Sequence, residues 1–211
     1  MTQNPFTLVP GARLNGDSLR GMITAATTLF KPNVEAINAL NVFPVPDGDT
    51  GTNMFLTLRE VLSSANEAQT VKASDVAEAM SKGALVGARG NSGVILSQFF
   101  KGLAIGFENK ADFGVEDLTN ALCEAKEQAY NAVGNPVEGT LLTVIHDVSD
   151  AAQSQLSKGI GFHELYDVLC EAARKSVAST PQILPVLREA GVVDAGGQGF
   201  YILLEGFRRW I

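Results

Sequence analysis

Apolar residues recur at three- and four-residue intervals along most of the chain, a spacing typical of amphipathic helices. Helices are predicted to begin at a cap at Asp17-Ser18, at residue 52 and at a cap at Ser74-Asp75, and a short helix is predicted over residues 34–41. Further helices are predicted to begin after residue 93, within 112–116, at 139–140, at 162 and after 199. The helix that begins at 162 should end before Thr180-Pro181, because proline disrupts a helix. Strand-like alternation is rare, and short loops favour an all-α bundle with successive helices antiparallel.

A chain of 211 residues with 45% hydrophobic residues can bury a sizeable core, and its length alone allows one large domain or two small ones. The helical pattern favours a single all-α domain over residues 1–211. The net charge of −7 argues against non-specific binding to nucleic acid, whose phosphates it would repel. Neither a signal-peptide pattern nor a run of 18 apolar residues occurs, so we expect a cytoplasmic protein without a transmembrane segment. Cys123 and Cys170 lack metal-ligand spacing and are expected to be buried and reduced.

The most informative stretch is NVFPVPDGDTGTNM, residues 41–54, in which two carboxylates flank a glycine. Two prolines hold the approach extended, and Gly48 allows a sharp turn between Asp47 and Asp49. Mg²⁺ prefers oxygen ligands, typically one or two carboxylates together with substrate phosphates. The helix start that follows, Thr50-Gly51-Thr52-Asn53, offers N–H groups that suit phosphate. The stretch is therefore a candidate metal–phosphate site, although an acidic turn before a capped helix would look similar.

Three further polar, glycine-containing turns come just before helical patterns, at 87–93, 134–140 and 191–199. In an antiparallel bundle, the N-termini of alternate helices gather at one end. If all four turns lie at the same end, their exposed N–H groups form a ring around Asp47 and Asp49. Such a ring would hold a polyphosphate whose charge is offset by metal.

Taken singly, each turn also has a purely structural explanation. Gly90-Asn91-Ser92-Gly93 offers unhindered N–H groups and a hydroxyl to a phosphate, or simply contains a helix N-cap. Thr140 either contacts phosphate or caps its helix, and Arg89 either neutralises a phosphate or lies in solvent. The turn Asp194-Ala195-Gly196-Gly197 either packs against a nucleoside or is a glycine turn. The P-loop and Rossmann glycine motifs are absent, so any nucleotide site here is of another type.

Four segments together resemble the DhaL-type, or DAK2, kinase domain: NVFPVPDGDTGTNM at 41–54, GARGNSGVILSQ at 87–98, VEGTLLT at 137–143 and VDAGGQGF at 193–200. Within that family the chain is most similar to the N-terminal ATP-binding domain of bacterial fatty acid kinase, the A subunit. The resemblance implies an antiparallel barrel of about eight helices with ATP and two Mg²⁺ ions at one end. Because the apolar period continues to Ile211 without a stop signal, we expect the N-terminal part of a longer protein. Any homodimer is expected to form through later domains.

The resemblance also implies roles for individual residues. Asp47 and Asp49 are expected to ligate the Mg²⁺ ions that bridge the phosphates, and removal of either should abolish turnover while the fold is kept. The residues implied to contact or approach the nucleotide are Thr50, Gly51, Thr52, Asn53, Gly90, Asn91, Ser92, Gly93, Thr140, Asp194 and Gly196.

Two departures from the dihydroxyacetone kinase L subunit bear on the substrate. That subunit has a third aspartate before the pair; the nearest equivalent here is Asn41, one residue further upstream, whose amide oxygen is a candidate uncharged metal ligand. The arginine-rich segment of that subunit is replaced by LREAGVVDAG at 187–196. This replacement argues against dihydroxyacetone as the substrate and fits the fatty acid kinase type.

The resemblance implies phosphoryl transfer from ATP to a fatty-acid carboxylate, which a separate acyl-binding partner protein of the DegV type presents, to give an acyl phosphate. No general base is required, because a carboxylate is already ionised near neutral pH. Two alternatives stay open. One is phosphorylation of dihydroxyacetone as an L-type kinase subunit, and the other is a non-catalytic nucleotide-binding adaptor module.

Overall fold

The computed structural model describes residues 10–211, so residues 1–9 of the predicted domain lie outside the description. The chain is helical almost throughout this range. The helices are α1 (Gly16–Phe30), α2 (Val34–Asn38), α3 (Thr50–Glu67), α4 (Ala73–Gly87), α5 (Gly90–Gly106), α6 (Val115–Asn131), α7 (Leu141–Gln153), α8 (Phe162–Ile183), α9 (Pro185–Ala190) and α10 (Ala195–Trp210). Single 3₁₀ turns occupy Lys31–Asn33 and Leu156–Lys158, and two short strands, β1 (Leu14–Asn15) and β2 (Asp112–Phe113), pair antiparallel.

Within the described range, eight helices of 13 residues or more pack side by side in a closed ring. Each long helix contacts the next one along the chain, from α1 through α3 to α8 and then α10, and α10 returns to α1. The short helices α2 and α9 lie within two of the connections. The predicted all-α barrel of about eight antiparallel helices is therefore confirmed.

Small residues let neighbouring helices of the ring approach closely. A Cβ atom added to Gly206 of α10 would lie 2.2 Å from Cα of Ala26 on α1, so nothing larger than glycine fits there. A Cβ on Gly87 of α4 would likewise lie 2.6 Å from Cβ of Glu60 on α3, so these two helices also approach closely. The interior between the helices is filled by large side chains that include Phe30, Phe99, Phe100, Phe162, Phe200 and Met54.

Two predicted helix caps are wrong. The N-cap of α1 is Asn15, whose side chain accepts hydrogen bonds from the N–H groups of Asp17 and Ser18. Helix α4 begins at Ala73 without a side-chain cap, because backbone carbonyls from the 110–111 segment accept from its first N–H groups. In both cases the acceptor lies outside the predicted cap, and in α4 it is distant in sequence.

The predicted end of α8 before Pro181 is also wrong, since the helix continues to Ile183. Proline has no N–H to donate to the carbonyl of Val177, four residues earlier. The hydroxyl of Thr180 donates to that carbonyl instead, at 2.7 Å, which keeps it paired. The residues predicted to form a kinked connector after α8 include the short helix α9, which starts with Pro185 at its first position.

The two ends of the barrel differ in what they carry. At one end the N–H of Gly16 donates to the carbonyl of Val71, and the β1–β2 pair joins the starts of α1 and α6. The alternation of the helices then places the starts of α3, α5, α7 and α10 at the opposite end. Within residues 10–211 no helix combines the length and apolar character that a membrane span needs.

The two cysteines are unpaired, as predicted, but only one of them is buried. Cys170 lies in the core, whereas Cys123 is half-buried and its sulfur accepts a hydrogen bond from Nε2 of Gln153 at 3.0 Å. The prediction of burial is therefore wrong for Cys123, because its position on α6 lies between the core face and the surface.

Candidate functional site

A cavity of about 390 Å³ opens at the end of the barrel where α3, α5, α7 and α10 begin. All four turns singled out in the sequence contribute to its lining. The predicted site residues that line it are Thr50, Asn91, Ser92, Thr140, Asp194 and Gly196. The four turns therefore do lie together, as the antiparallel arrangement predicts.

A smaller cavity of about 140 Å³ adjoins the first, because Pro44, Thr50, Asn91 and Ser92 line both. The predicted residues that line the smaller cavity alone are Asn41, Asp47, Asp49, Asn53 and Gly90. The site thus has two adjoining parts: a larger part between α5, α7 and α10, and a smaller part bounded by the aspartate loop.

The aspartate loop is held from within by Asn41, which is only 7% exposed. Its Oδ1 accepts hydrogen bonds from the N–H groups of Asp49 and Thr50 at 3.1 and 3.3 Å, and its Nδ2 donates to the carbonyl of Val45 at 3.0 Å. Gly48 turns the chain with φ of +68°, as predicted. These bonds close the loop and pair the N–H of the N-cap residue Asp49 and the first N–H of α3, that of Thr50.

Asn41 therefore does not suit the predicted role of a metal ligand in this arrangement. Both lone pairs of its amide oxygen are occupied by backbone N–H groups. The consequence for Asp49 is favourable. Asp49 is the N-cap residue of α3, but its side chain makes no capping hydrogen bond, because Asn41 performs that task. Its carboxylate is left available to the cavity.

The charge distribution of the two cavities favours a cation. Neither Asp47 nor Asp49 forms an ion pair with any residue in the range 10–211, and no Lys, Arg or His in that range lines either cavity. In the same range no cluster of three or more acidic, His or Cys side chains could hold a metal by itself. Two carboxylates without a cationic partner are the donor set that Mg²⁺ uses when substrate phosphates complete its coordination. The residues present fit Mg²⁺ on this ground.

The first turn of α5 differs from the other three helix starts at the site. Its N-cap, Arg89, makes no side-chain cap, and no described residue accepts from the N–H groups of Gly90, Asn91 or Ser92. The first N–H to be paired is that of Gly93, which donates to the carbonyl of Arg89 at 3.0 Å. These orphan donors, on a helix of 17 residues, are the ones that an anion can use.

The starts of α7 and α10 are capped by their own side chains. Thr140 is the N-cap of α7, and its hydroxyl accepts from the N–H of Leu142 at 3.4 Å. Asp194 is the N-cap of α10 and accepts from the N–H of Gly197 at 2.7 Å. For Thr140 the geometry therefore shows the cap, which is one of its two explanations, whereas the N-cap role of Asp194 was not among the explanations considered for its turn. A contact of either with a bound nucleotide stays a prediction.

Asp194 is an unusual cap because it is only 5% exposed. Burial raises the pKa of its carboxyl to about 6, although backbone N–H donors from Gly197, Leu141 and Gly196 oppose the rise. One carboxyl thus joins the starts of α7 and α10 beneath the larger cavity. It is placed to hold the floor of the site rather than to bind a cation.

Three predicted residues lie away from the lining of both cavities. Gly51 packs against the carbonyl of Val34, which a Cβ would approach to 2.3 Å, and a Cβ on Gly93 would lie 2.8 Å from Oγ1 of Thr57. Thr52 pairs with the side chain of Asn38. These residues fix the first turns of α3 and α5, and direct contact with a ligand stays a prediction.

Arg89 also points away from the cavities, since its guanidinium donates to the carbonyls of Val86 and Ala88 at the end of α4. The alternative in which it neutralises a phosphate finds no support in this arrangement. Its charge instead stabilises the C-terminal carbonyls of α4.

The sequence matches the model of the DAK2 domain over residues 44–209. The chain belongs to the DAK2 domain family. It is 44% identical over 194 residues to protein YloV of Bacillus subtilis (strain 168), which covers 92% of this chain and 35% of that protein. It is 40% identical over 198 residues to an uncharacterized protein of Staphylococcus epidermidis (strain ATCC 12228), covering 94% of this chain and 36% of that protein. This DAK2 domain therefore spans about a third of the length of these relatives.

The barrel of the DAK2 domain is also similar to a solved structure, the dihydroxyacetone kinase from C. freundii in complex with AMP-PNP and Mg²⁺. The TM-score is 0.68 at 19% sequence identity, and the match covers 99% of this chain and 36% of that chain. At this identity the likeness establishes the shared helical fold.

The DAK2 domain also has an apolar wall that the sequence analysis did not identify. Phe43, Val94, Ile95, Val133 and Val137 line the larger cavity beside the polar turns. Each stands in or within a few residues of a glycine-containing turn, so an apolar residue at such a turn was the available signal. The larger cavity therefore combines apolar side chains with helix starts, a composition typical of small-molecule sites.

Proposed function

We propose that this DAK2 domain binds ATP with Mg²⁺ and transfers the γ-phosphoryl group to a fatty-acid carboxylate, forming an acyl phosphate. A separate acyl-binding protein of the DegV type presents the fatty acid. The observation that carries the proposal is the uncapped first turn of α5 beside two unpaired carboxylates, Asp47 and Asp49, in one cavity. This juxtaposition supplies anion donors and cation ligands within a single site.

The two adjoining cavities would each receive one half of a nucleotide. The smaller cavity, which Asp47, Asp49 and the start of α5 line, suits the phosphates. The larger one, with its apolar wall and a volume within the range of small-molecule pockets, suits the nucleoside. Asn91 and Ser92 line both cavities and therefore stand where the two halves join.

Asp47 and Asp49 would hold two Mg²⁺ ions, which when bound neutralise the charge of the phosphates and of the transition state. Because no basic side chain of the described range lines the cavities, the cation is the group available to offset a triphosphate. The N–H groups of Gly90, Asn91 and Ser92 orient phosphate oxygens without moving, since the helix fixes their directions.

The lining of the site also favours a carboxylate acceptor. The ionisable side chains that line the two cavities are Asp47, Asp49 and Asp194. The first two serve the cation and the third is a buried cap, so none is placed to remove a proton from a hydroxyl. A fatty-acid carboxylate needs no such base near neutral pH. A hydroxyl acceptor would require a base from the partner protein.

Phosphorylation of dihydroxyacetone is the second candidate, because the solved structure of similar fold is a dihydroxyacetone kinase in complex with AMP-PNP and Mg²⁺. It would require an L-type arrangement in which another subunit holds the substrate and supplies the base. Both candidates include the binding of ATP with Mg²⁺ and differ in the group that accepts the phosphoryl group.

A transfer assay separates the candidates. ATP labelled in the γ-phosphate is incubated with the protein and Mg²⁺, and with a DegV-type protein loaded with fatty acid, the same protein without fatty acid, or dihydroxyacetone with its binding subunit. The proposal predicts label in an acyl phosphate in the first mixture alone. Label in dihydroxyacetone phosphate would favour the second candidate. Binding of ATP without transfer in any mixture would favour the adaptor module.

A further inference from the structure

Glu138 belongs to the VEGTLLT segment, yet it lines neither cavity and has no role in the proposed chemistry. It lies in the loop 132–140, which connects α6 to α7. Although the residue is exposed as a whole, both oxygens of its carboxylate are engaged by other side chains.

The carboxylate of Glu138 joins two helices. Oγ1 of Thr143, in the first turn of α7, donates to Oε2 of Glu138 at 2.6 Å, and the hydroxyl of Tyr130, in the last turn of α6, donates to Oε1 at 3.1 Å. Oγ1 of Thr143 in turn accepts from the N–H of Gly139 at 2.8 Å. This Tyr130–Glu138–Thr143 chain spans the base of the loop from one helix to the other.

The loop that this series of hydrogen bonds spans forms one wall of the larger cavity. Its lining residues are Ala132, Val133, Gly134, Asn135 and Val137. Most of the loop is exposed, although Val133 packs against the core and Gly139 is buried. Hydrogen bonds at its two ends also hold it, those to Glu138 together with the one from Oγ1 of Thr140 to the carbonyl of Val137 at 2.7 Å.

Tyr130 and Thr143, the two residues that donate to Glu138, are fixed as hydrogen-bond donors. Burial, and after it the carboxylate of Glu138, raise the pKa of Tyr130 well above its usual value, so the phenol keeps its proton and donates. Thr143 is 7% exposed and cannot turn to solvent. Hydrogen bonds to an ionised acceptor are stronger than those between neutral groups. Glu138 is the shared acceptor, and its loss leaves both donors without this partner.

We infer that Glu138 is a positioning residue that fixes the 132–137 wall of the larger cavity, and with it the seat of the nucleoside half of the nucleotide. It touches neither phosphate nor cation. The inference rests on the proposed function, and it assigns Tyr130, Glu138 and Thr143 to nucleotide affinity rather than to phosphoryl transfer.

The test compares two ligands that share phosphates but differ in the nucleoside. Affinities for ATP and for inorganic tripolyphosphate, each with Mg²⁺, are measured by isothermal titration calorimetry for the wild type and for Glu138→Ala. We expect ATP to bind at least tenfold more weakly to the variant, and tripolyphosphate to bind within twofold of the wild-type value. In turnover the same variant should raise KM for ATP and leave kcat within twofold.

The matched control is Glu127→Ala, which removes an exposed α6 carboxylate that forms no ion pair within residues 10–211 and lines neither cavity. It should bind both ligands as the wild type does. Tyr130→Phe and Thr143→Val each remove one donor. Each should weaken the binding of ATP and leave the binding of tripolyphosphate unchanged. Tyr130→Phe should not add to the effect once Glu138 is alanine, because the shared acceptor is already gone, whereas Thr143→Val also removes the acceptor of the Gly139 N–H.

The outcomes separate the inference from the proposed function. Wild-type protein that binds ATP, with Glu138→Ala binding it equally well, would overturn the inference and leave the proposed function standing. Equal loss of ATP and tripolyphosphate would also overturn it, because the carboxylate would then support the whole site. A wild type that binds neither ligand would overturn the proposed function and the inference with it.

Discussion

Gly90→Ala tests whether the first turn of α5 is the phosphate-binding element. Gly90 has φ of +58°, a left-handed conformation that costs other residues roughly 1–2 kcal/mol. A Cβ there would also lie 2.5 Å from Nδ2 of Asn53. Since Gly90 and Asn53 line the same small cavity, the Asn53 amide must move within the site to make room.

The expected effect on stability is modest and the effect on binding larger. Strain of about 1 kcal/mol should lower the melting temperature by roughly 2–4 °C for a domain of this size. If the shifted amide and the distorted turn remove one good phosphate contact, affinity for ATP with Mg²⁺ should fall about tenfold, which corresponds to about 1.4 kcal/mol. Thermal unfolding and isothermal titration calorimetry measure the two effects separately.

Gly159→Ala is the matched control, because Gly159 also has a left-handed φ, +64°, but has no atom within 4 Å of an added Cβ. It follows the 3₁₀ turn Leu156–Lys158, between the end of α7 and the start of α8, away from the site. The control should lose similar stability and keep wild-type affinity. Equal affinities for ATP in the two variants would refute the assignment of the α5 start to phosphate binding.

Three further substitutions test the aspartate loop, the floor of the larger cavity and the closed ring of helices. Asn41→Ala removes the acceptor for two N–H groups at the start of α3 and should cost about 2 kcal/mol in urea unfolding. Asp194→Asn should change the free energy of unfolding, relative to the wild type, more favourably at pH 7 than at pH 4, because the amide cannot ionise in its buried place. Urea unfolding at several pH values measures this difference. Gly206→Ala should cost about 2–3 kcal/mol in the same assay, because its Cβ would meet Ala26 of α1.

The pH effect of Asp194 has a definite sign. With a pKa of about 6 in the folded state against an ordinary 3.8, the folded protein holds this proton more tightly than the unfolded chain does. Its stabilising effect is fully present below about pH 4 and is lost as pH rises to about 6. At 1.36 kcal/mol per pH unit the loss amounts to about 3 kcal/mol, and Asp194→Asn should abolish this part of the pH dependence.

Each of these three predictions has an outcome that would contradict it. An Asn41→Ala protein as stable as the wild type would show that the loop does not depend on the amide. An unchanged pH profile in Asp194→Asn would show that this carboxyl is ionised alike in both states. For Gly206→Ala the control is Gly134→Ala, which has open space around an added Cβ. Equal stabilities of these two glycine variants would contradict the close contact of α1 and α10.

The helices, and the position of the four turns at one end of the barrel, could be predicted because both follow from local sequence patterns. Apolar spacing marks each long helix, and a glycine-containing polar turn precedes each of α3, α5, α7 and α10. Short connections then place alternate helix starts at one end of the barrel. The position of Asp47 and Asp49 beside the start of α5 follows from this alternation.

What local patterns could not predict is which helix starts are already satisfied. Asn41 caps α3 from eight residues before Asp49, and its role became visible only through the fold of the loop. The carbonyls that serve α4 come from the 110–111 segment, and Thr180 keeps α8 intact across Pro181 through a single side-chain hydrogen bond. In each case a distant or unexpected partner satisfies a backbone group, and residue type alone does not reveal it.

The most direct test of the central claim is the Mg²⁺ dependence of ATP binding in the wild type and in Asp49→Asn. Calorimetric titrations of ATP are run with Mg²⁺ and with EDTA, on proteins whose unfolding curves are first shown to match. We expect tight binding in the wild type with Mg²⁺, and loss of that binding both in EDTA and in Asp49→Asn. Equal ATP affinity in the variant, or in EDTA, would contradict the assignment of the aspartate loop as the metal–phosphate site.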